Sequence, residues 1–360
     1  MVVFGLMFLS SLSSYLSMQR FGTTNYYFFH QILFGLLPAL VLGTVAFKIP
    51  LSFVKKVAPI VVLSNIIALA SVFIPGLGMK FWGATRWLNI GGFVLQPSEF
   101  LKITSILYLS AWIASKLSED NVKGWKSEAK KSYHNVIYVL VPFLIFLGAI
   151  SIIMIFQKDL TTLGIIGLTL ITMYFYGKTP LWHTFFILSL SAIGLTFFIK
   201  YESYRLDRWL IFLNPDADPM GKGFQLTRSL TTIGSGGIFG KGLGMSVQKL
   251  GGLPQATSDF IFAILGEETG IVGCVILIIL FLLFFWFGMK IAQKSNDRFS
   301  RLTAMGITFW IVLQAFVNIG SVIGLLPVSG VPLPFLSAGG SHMVTELIGV
   351  GLLLNISKNT

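Results

Sequence analysis

Asp259 is the acid best placed along the chain to act as a base. It stands in LPQATSDFIFAILGEETG (253–270), where a long glycine-rich polar segment meets an apolar run. A carboxylate beside apolar surface is harder to ionise, so its pKa rises toward the range in which a base works well. The same position also suits a helix cap, and residue type alone does not choose between the two. Glu267 lies eight residues on, about 12 Å further along a helix. That is too far for a shared-proton dyad, and polar packing suits it better.

A second set of charges gathers elsewhere. WGATRWLNIGGFVLQPSEFLK (82–102) carries Arg86, then Pro97, Ser98 and Glu99 at what reads as a helix start, with Lys102 one turn on. Glu99 and Lys102 share a helix face at i,i+3. Asp159 follows Gln157 and Lys158 in a tight turn, where it can cap the next helix or join Glu99 and Lys102 in a buried charge cluster. Arg208 lies in the opening part of the long loop 200–259 and Lys249 in its glycine-rich part. Ser337 and Ser341 flank a proline- and glycine-broken stretch, LLPVSGVPLPFLSAGGSHMVTELIG (325–349). These are groups that bind anions, phosphate among them. Adjacent Ser341 and His342 on a helix point about 100° apart, so a triad with Asp259 is not expected.

The elements that must position these groups are membrane spans. Hydrophobic residues make up 54% of the chain and charged residues 11%, against about 25% charged in soluble domains. Apolar runs predict ten helices, at 2–18, 26–47, 57–75, 98–115, 136–156, 159–177, 181–199, 260–290, 302–326 and 334–356. The first lacks a basic leader and a small-residue cleavage site, so it is expected to be retained. With the N-terminus inside, the inner loops and tail hold fourteen Lys and Arg and the short outer segments five. The expectation is therefore an all-α polytopic membrane protein of about ten transmembrane helices, N-in and C-in. One long extracytoplasmic loop, 200–259, joins helices seven and eight, and residues 1–360 form a single domain.

Several chemistries are excluded. A lone Cys274 rules out a disulfide framework, and four scattered His residues make a zinc site unexpected. The net charge of +12 reads as a basic membrane rim and not as nucleic-acid binding. In the long loop, residues 205–212 suit a helix on the membrane surface. Its glycine-rich part has backbone amides, with Lys222, Arg228, Lys241 and Lys249, that could hold phosphate oxygens. GGIFGKG in that loop is not a nucleotide loop, because Ser235 and Gly242 stand where Gly and Ser or Thr are needed.

Five ordered motifs then resemble the SEDS family (shape, elongation, division and sporulation) over nearly the whole chain. They are RWLNIGGFVLQPSEFLKI (86–103), QKDLTTLG (157–164), FLNPDADPMGKGFQLTRSLTTIGSGGIFGKGLG (212–244), LPQATSDFIFAILGEETGIVG (253–273) and LPVSGVPLPFLSAGGSH (326–342). The stretch GLGMSVQKLGGLPQA looks closer to the family's division branch than to its elongation branch. The resemblance implies a peptidoglycan glycosyltransferase that polymerises lipid II outside the bacterial cytoplasmic membrane. It implies Asp259 as the catalytic acid, with Glu99, Lys102 and Asp159 at the family's other charged positions. Implied partners are lipid II, undecaprenyl diphosphate, a class B penicillin-binding protein (a transpeptidase) and division proteins, with no nucleic acid. The chain departs from the family pattern at Lys158 (usually Pro), Thr161 (usually Gly), Ser258 (usually Thr) and Ala338 (commonly Tyr).

Residues and resemblance together give a mechanism to test. Asp259 activates a sugar hydroxyl, a diphosphate leaves without protonation, and one displacement inverts the anomeric carbon. The diphosphate charge would be neutralised by Lys102, Arg86, Arg208 and Lys249, or by a divalent cation such as Mg or Mn. The alternatives are a lipid II flippase, which would favour polar groups near the bilayer midplane, and a non-catalytic scaffold for the penicillin-binding protein.

Overall fold

The computed structural model describes residues 1–81, 84–116, 134–177, 179–201, 203–214, 218, 221, 223–248 and 252–359. Its helices are α1 (Val2–Phe21), α2 (Tyr26–Lys48), α3 (Leu51–Ser71), α4 (Pro97–Lys116), α5 (Val136–Phe156), α6 (Leu160–Tyr176), α7 (Leu181–Tyr201), α8 (Ser203–Leu213), α9 (Phe224–Ser235), α10 (Ile261–Lys294), α11 (Arg298–Val322) and α12 (Gly340–Lys358). Each of the ten apolar runs is a helix. Six of the helices, α1, α2, α3, α5, α10 and α11, are long and apolar enough to cross a membrane. α4 is more polar and turns that polarity inward, burying Ser98, Glu99, Lys102, Ser105 and Ser110. α10 instead exposes Ile271, Val275, Ile276, Leu282 and Phe287, as a lipid-facing surface would.

Three features differ from the expectation. A small antiparallel sheet, β1 (Gly78–Phe81), β2 (Ala84–Ile90) and β3 (Phe93–Leu95), precedes α4. Gly91 and Gly92 turn β2 into β3 with φ of +59° and +91°, which glycine adopts without a steric penalty. The long loop contains the expected helix α8 and also α9. Finally, α12 begins at Gly340, six residues later than expected, because the stretch after Pro332 and Pro334 forms a turn.

The chain forms two compact units. The first comprises Met1–Leu42, Gly194–Trp286 and Ile311–Leu347. In it α1 meets the turn before α12 so closely that a Cβ on Gly5 would lie 2.6 Å from the Phe335 carbonyl oxygen. The second comprises Gly43–Ile193, Phe287–Trp310 and Ile348–Thr360. There α3 packs along α4, and Gly306 of α11 lets Met173 and Ile106 close against its backbone.

Candidate active site

In the first unit Asp259 lies two residues before α10, half-buried, at the end of a tight turn. Its backbone is fixed from one side by residues of α11 and the following loop. Three consecutive carbonyls, those of Thr257, Ser258 and Asp259, accept from the Ala338 amide at 3.0 Å, the Ser337 hydroxyl at 2.5 Å and the Asn318 side-chain amide at 2.8 Å. Asn318 also donates to the Val331 carbonyl at 2.7 Å, and Ser337 accepts from the Leu333 amide. The backbone that carries the carboxylate is thereby restrained at three successive residues. Gly330 lies opposite it. A Cβ there would come 3.7 Å from Asp259 Oδ2, and the φ of +67° favours glycine. The glycine therefore leaves room beside the acid.

Neighbouring polar groups brace the same turn. Arg208 of α8 donates to the Val328 carbonyl at 3.0 Å. Gln31 of α2 grips Gly339 twice, accepting from its amide at 2.9 Å and donating to its carbonyl at 3.2 Å. Glu346 accepts the Phe335 amide at 2.8 Å. Ser341 is half-buried in the first turn of α12. His342 Nε2 is 2.9 Å from the Ser337 carbonyl, a backbone contact and not a triad geometry.

The glycine-rich loop has a role that its composition did not reveal. α10 is broken at Gly270, where φ is +67° and ψ −167°. A break strands carbonyls on one side and amides on the other. Here the loop supplies the partners: Lys241 and Gly242 amides donate to the Glu267 and Glu268 carbonyls at 2.9 and 3.0 Å. Ile271 and Val272 amides donate to the Gly237 and Ile238 carbonyls at 3.0 and 3.2 Å. The approach demands glycine, since a Cβ on Gly240 would sit 2.2 Å from the Glu268 carbonyl oxygen. Side chains complete the strap. Buried Glu267 accepts from Lys241 at 2.7 Å and Ser246 at 2.5 Å, while Glu268 accepts the Gly244 and Ser246 amides at 2.9 and 3.3 Å. The amides of Gly244 and Ser246 thus face an internal carboxylate, a correction to the phosphate cradle expected of this loop at those two positions. Broken helices inside a membrane require such internal satisfaction.

In the second unit the remaining charges fall into two pairs, Arg86 with Asp159 and Lys102 with Glu99. Arg86 is the extra residue of a β-bulge, since Trp87 pairs with Met79 and Thr85 with Lys80. A bulge re-aims a side chain, and Arg86 reaches the turn before α6. It donates to the Gln157 carbonyl at 3.3 Å and to that of Lys158, with Asp159 Oδ1 at 3.8 Å. Asp159 occupies the cap position of α6 without a side-chain cap bond. Its Oδ2 accepts from Ser98 at 3.2 Å instead. One turn into α4, Lys102 pairs with Glu99 at 2.8 Å, both almost fully buried. Glu99 Oε2 has no partner among the described residues, and Lys102 lies 5.8 Å from the centre of the Trp310 ring. Ser98 ties Asp159 to the first turn of α4, the helix that carries the Glu99–Lys102 pair.

The bracing residues Asn318, Gln31 and Gly330 were missed in the sequence. A signal was present for the first two, because amides within apolar spans are expensive unless bonded. Lys249 lies outside the described residues, as do Lys222 and most of the loop 116–135. Among the described residues no three His, Cys, Asp or Glu side chains come together.

Membrane-crossing helices, a break repaired by its own loop and buried ion pairs define a polytopic integral membrane protein. The match to known proteins narrows this: residues 1–360 match the FtsW/RodA/SpoVE family, described as cell cycle protein, and the chain belongs to that family. It is similar to the probable peptidoglycan glycosyltransferase FtsW of Nitrosococcus halophilus, 35% identical over 99% of this chain and 89% of that protein. The protein of the same description from Borreliella burgdorferi is 37% identical over 100% and 94%. Stage V sporulation protein E of Bacillus subtilis is 38% identical over 81% and 76%. Among solved structures, a chain described under "Structural coordination of polymerization and crosslinking by a peptidoglycan synthase complex" aligns at a TM-score of 0.73, with 22% identity over 99% of this chain and 97% of that one. Thermus thermophilus rod shape determining protein RodA aligns at 0.63, with 22% identity over 99% and 96%. The fold is shared with both.

Proposed function

We propose that this chain is a peptidoglycan glycosyltransferase of cell division, polymerising lipid II at the outer face of the bacterial cytoplasmic membrane. The names of its relatives support the activity. The observation that carries the site is the half-buried Asp259, whose backbone is held through three successive carbonyls while Gly330 leaves space beside its carboxylate.

The 4-hydroxyl of an acceptor sugar enters beside Gly330 and gives its proton to Asp259. Its oxygen bonds to the anomeric carbon of the donor chain as the bond from that carbon to the diphosphate oxygen breaks. Undecaprenyl diphosphate leaves with the electron pair, and the anomeric centre inverts. Glycoside hydrolysis needs a second carboxyl group to protonate a poor leaving group; a diphosphate does not. Lys102, Arg86, Arg208 and Lys249 are the proposed cationic counterparts. Arg208 acts through the Val328 carbonyl, and Ser337 positions the Asp259 turn. Glu99, Asp159 and Ser341 complete the proposed set, and a transpeptidase of the penicillin-binding class is the proposed partner.

The test is purified protein with lipid II, wild type against Asp259→Asn. The general-base contribution is about 10²–10⁴-fold, so glycan synthesis by the variant should fall by at least about 100-fold. Undiminished synthesis by a folded variant would reject Asp259 as the base. Movement of labelled lipid II across vesicles with no joining would favour the transport alternative.

A further inference from the structure

At the end of the second unit where α3 begins, a cavity of about 370 Å³ is lined by Ser52, Lys55, Lys56 and Pro59 of α3 and by Tyr108, Trp112 and other residues of α4. The chemistry of its wall is mixed in a particular way. Lys55 is half-buried and Lys56 exposed, and neither has a hydrogen bond or ion pair among the described residues. Among the described residues no carboxylate lines the cavity. The opposite wall is aromatic, with Trp112 fixed by donating to the Tyr138 carbonyl at 3.1 Å. Lys116 Nζ lies 6.0 Å from the Trp112 ring centre, which adds a third cation at the rim.

The place of the cavity is as telling as its lining. Lys48 ends α2 just before α3 starts. Asn355 of α12 donates to the Ala46 and Ile49 carbonyls, and Lys358 sits 5.8 Å from the Phe47 ring centre, so α12 also ends here with a lysine. This end of the unit is a ring of lysines above apolar helix surface. Phe53 and Ile60, on α3 beside the cavity, are 51% and 69% exposed. Lysines over lipid-facing apolar residues, with Trp and Tyr between, match the headgroup level of a membrane.

We propose that this cavity binds the phosphate of an anionic membrane lipid. The phosphate lies between Lys55 and Lys56 with Ser52 as a further donor. The glycerol and first acyl carbons run along Pro59, Tyr108 and Trp112. A soluble phosphate ester shares the phosphate chemistry. The aromatic wall and exposed Phe53 and Ile60 favour the lipid, because they have work to do only if a chain follows the headgroup. This binding is separate from the acid-bearing site and does not depend on the catalytic reading.

The test uses the full chain in detergent with an equimolar mixture of phosphatidylglycerol and phosphatidylcholine, with bound lipids counted by native mass spectrometry. The wild type should retain phosphatidylglycerol preferentially. Lys55→Gln/Lys56→Gln should reduce that retention by at least about fivefold, with phosphatidylcholine adducts unchanged. Lys55→Arg/Lys56→Arg should keep it, and Trp112→Ala should weaken it through the aromatic wall. Equal phosphatidylglycerol retention in the Gln variant overturns the proposal, as does a lack of headgroup preference in the wild type. Competition with glycerol phosphate separates the sources: displacement at concentrations comparable to the lipid's would make the ligand a soluble ester and sink the lipid assignment.

Discussion

The side-chain amide of Asn318 bridges two backbone carbonyls, those of Asp259 and Val331, at 2.8 and 2.7 Å. One buried side chain thereby ties the turn that carries the acid to the loop that faces it. Gly330, the neighbour of Val331, is the residue that leaves space beside the carboxylate. The distance across the site is therefore set by a residue that does not itself enter the chemistry.

Asn318→Leu should consequently strand two buried carbonyls. Each stranded group costs about 1–3 kcal/mol, so the thermal midpoint in detergent should drop. Polymerisation should suffer in kcat more than in KM, because substrate contacts remain while the acid loses its alignment. A variant with a lowered midpoint and an intact kcat would show that the bridge serves stability alone.

The Glu99–Lys102 pair gives a second test. Removing Lys102 alone, as Lys102→Met, leaves a buried carboxylate without its cation and should destabilise by about 3–5 kcal/mol. Glu99→Gln together with Lys102→Met should recover most of that stability, since two neutral groups replace two charges. If Lys102 also meets the diphosphate, the double variant stays inactive although it unfolds near the wild-type temperature. Thermal unfolding and lipid II polymerisation on the same samples separate the two effects.

At Lys158 the chain departs from the family's usual proline, and the turn explains the departure. Lys158 has a φ of +59°, and its amide donates to the Ile155 carbonyl at 3.0 Å. Proline holds φ near −65° and has no amide hydrogen. Lys158→Pro should therefore destabilise by more than about 1 kcal/mol and loosen the Arg86 contacts to this turn. Lys158→Gly should stabilise, by up to about 1 kcal/mol. A thermal midpoint for the proline variant equal to wild type would contradict the turn geometry.

Glycines in the strap are not equivalent. Gly240→Ala adds a Cβ that would lie 2.2 Å from the Glu268 carbonyl oxygen, at a φ of +79°. Gly234 in α9 has open space around its Cβ position, and alanine there should be neutral or stabilising by up to about 1 kcal/mol. Limited proteolysis of the two variants reads the contrast: rapid cleavage within 236–247 for Gly240→Ala, and none beyond wild type for Gly234→Ala.

The sequence carried the helices well because apolar runs depend only on composition over about 20 residues. The span expected at 98–115 is helix Pro97–Lys116, and that at 136–156 is Val136–Phe156. The sheet before α4 was missed although Gly91–Gly92 between LNI and FVL is a hairpin signal. Trp and Arg nearby drew the reading toward charge instead. The break at Gly270 was hidden in an unbroken apolar run, where one glycine is compatible with a helix. Pairings such as Ser98 with Asp159, 61 residues apart, depend on packing that no local pattern encodes. The Glu99–Lys102 pair was legible from its i,i+3 spacing. The bracing of Asp259 by Asn318 and Ser337 was not.

The interruption at Gly270 has a mechanical corollary. On both sides of it α10 is seamed to the chain 236–242: the Glu267 and Glu268 carbonyls accept from the Lys241 and Gly242 amides, and the Ile271 and Val272 amides donate to the Gly237 and Ile238 carbonyls. The short piece that follows Asp259 is therefore joined to the rest of α10 through the strap as well as through Gly270 itself. The glycine strap in this way works as a splint across the bend, fixing the angle between the two pieces of the helix.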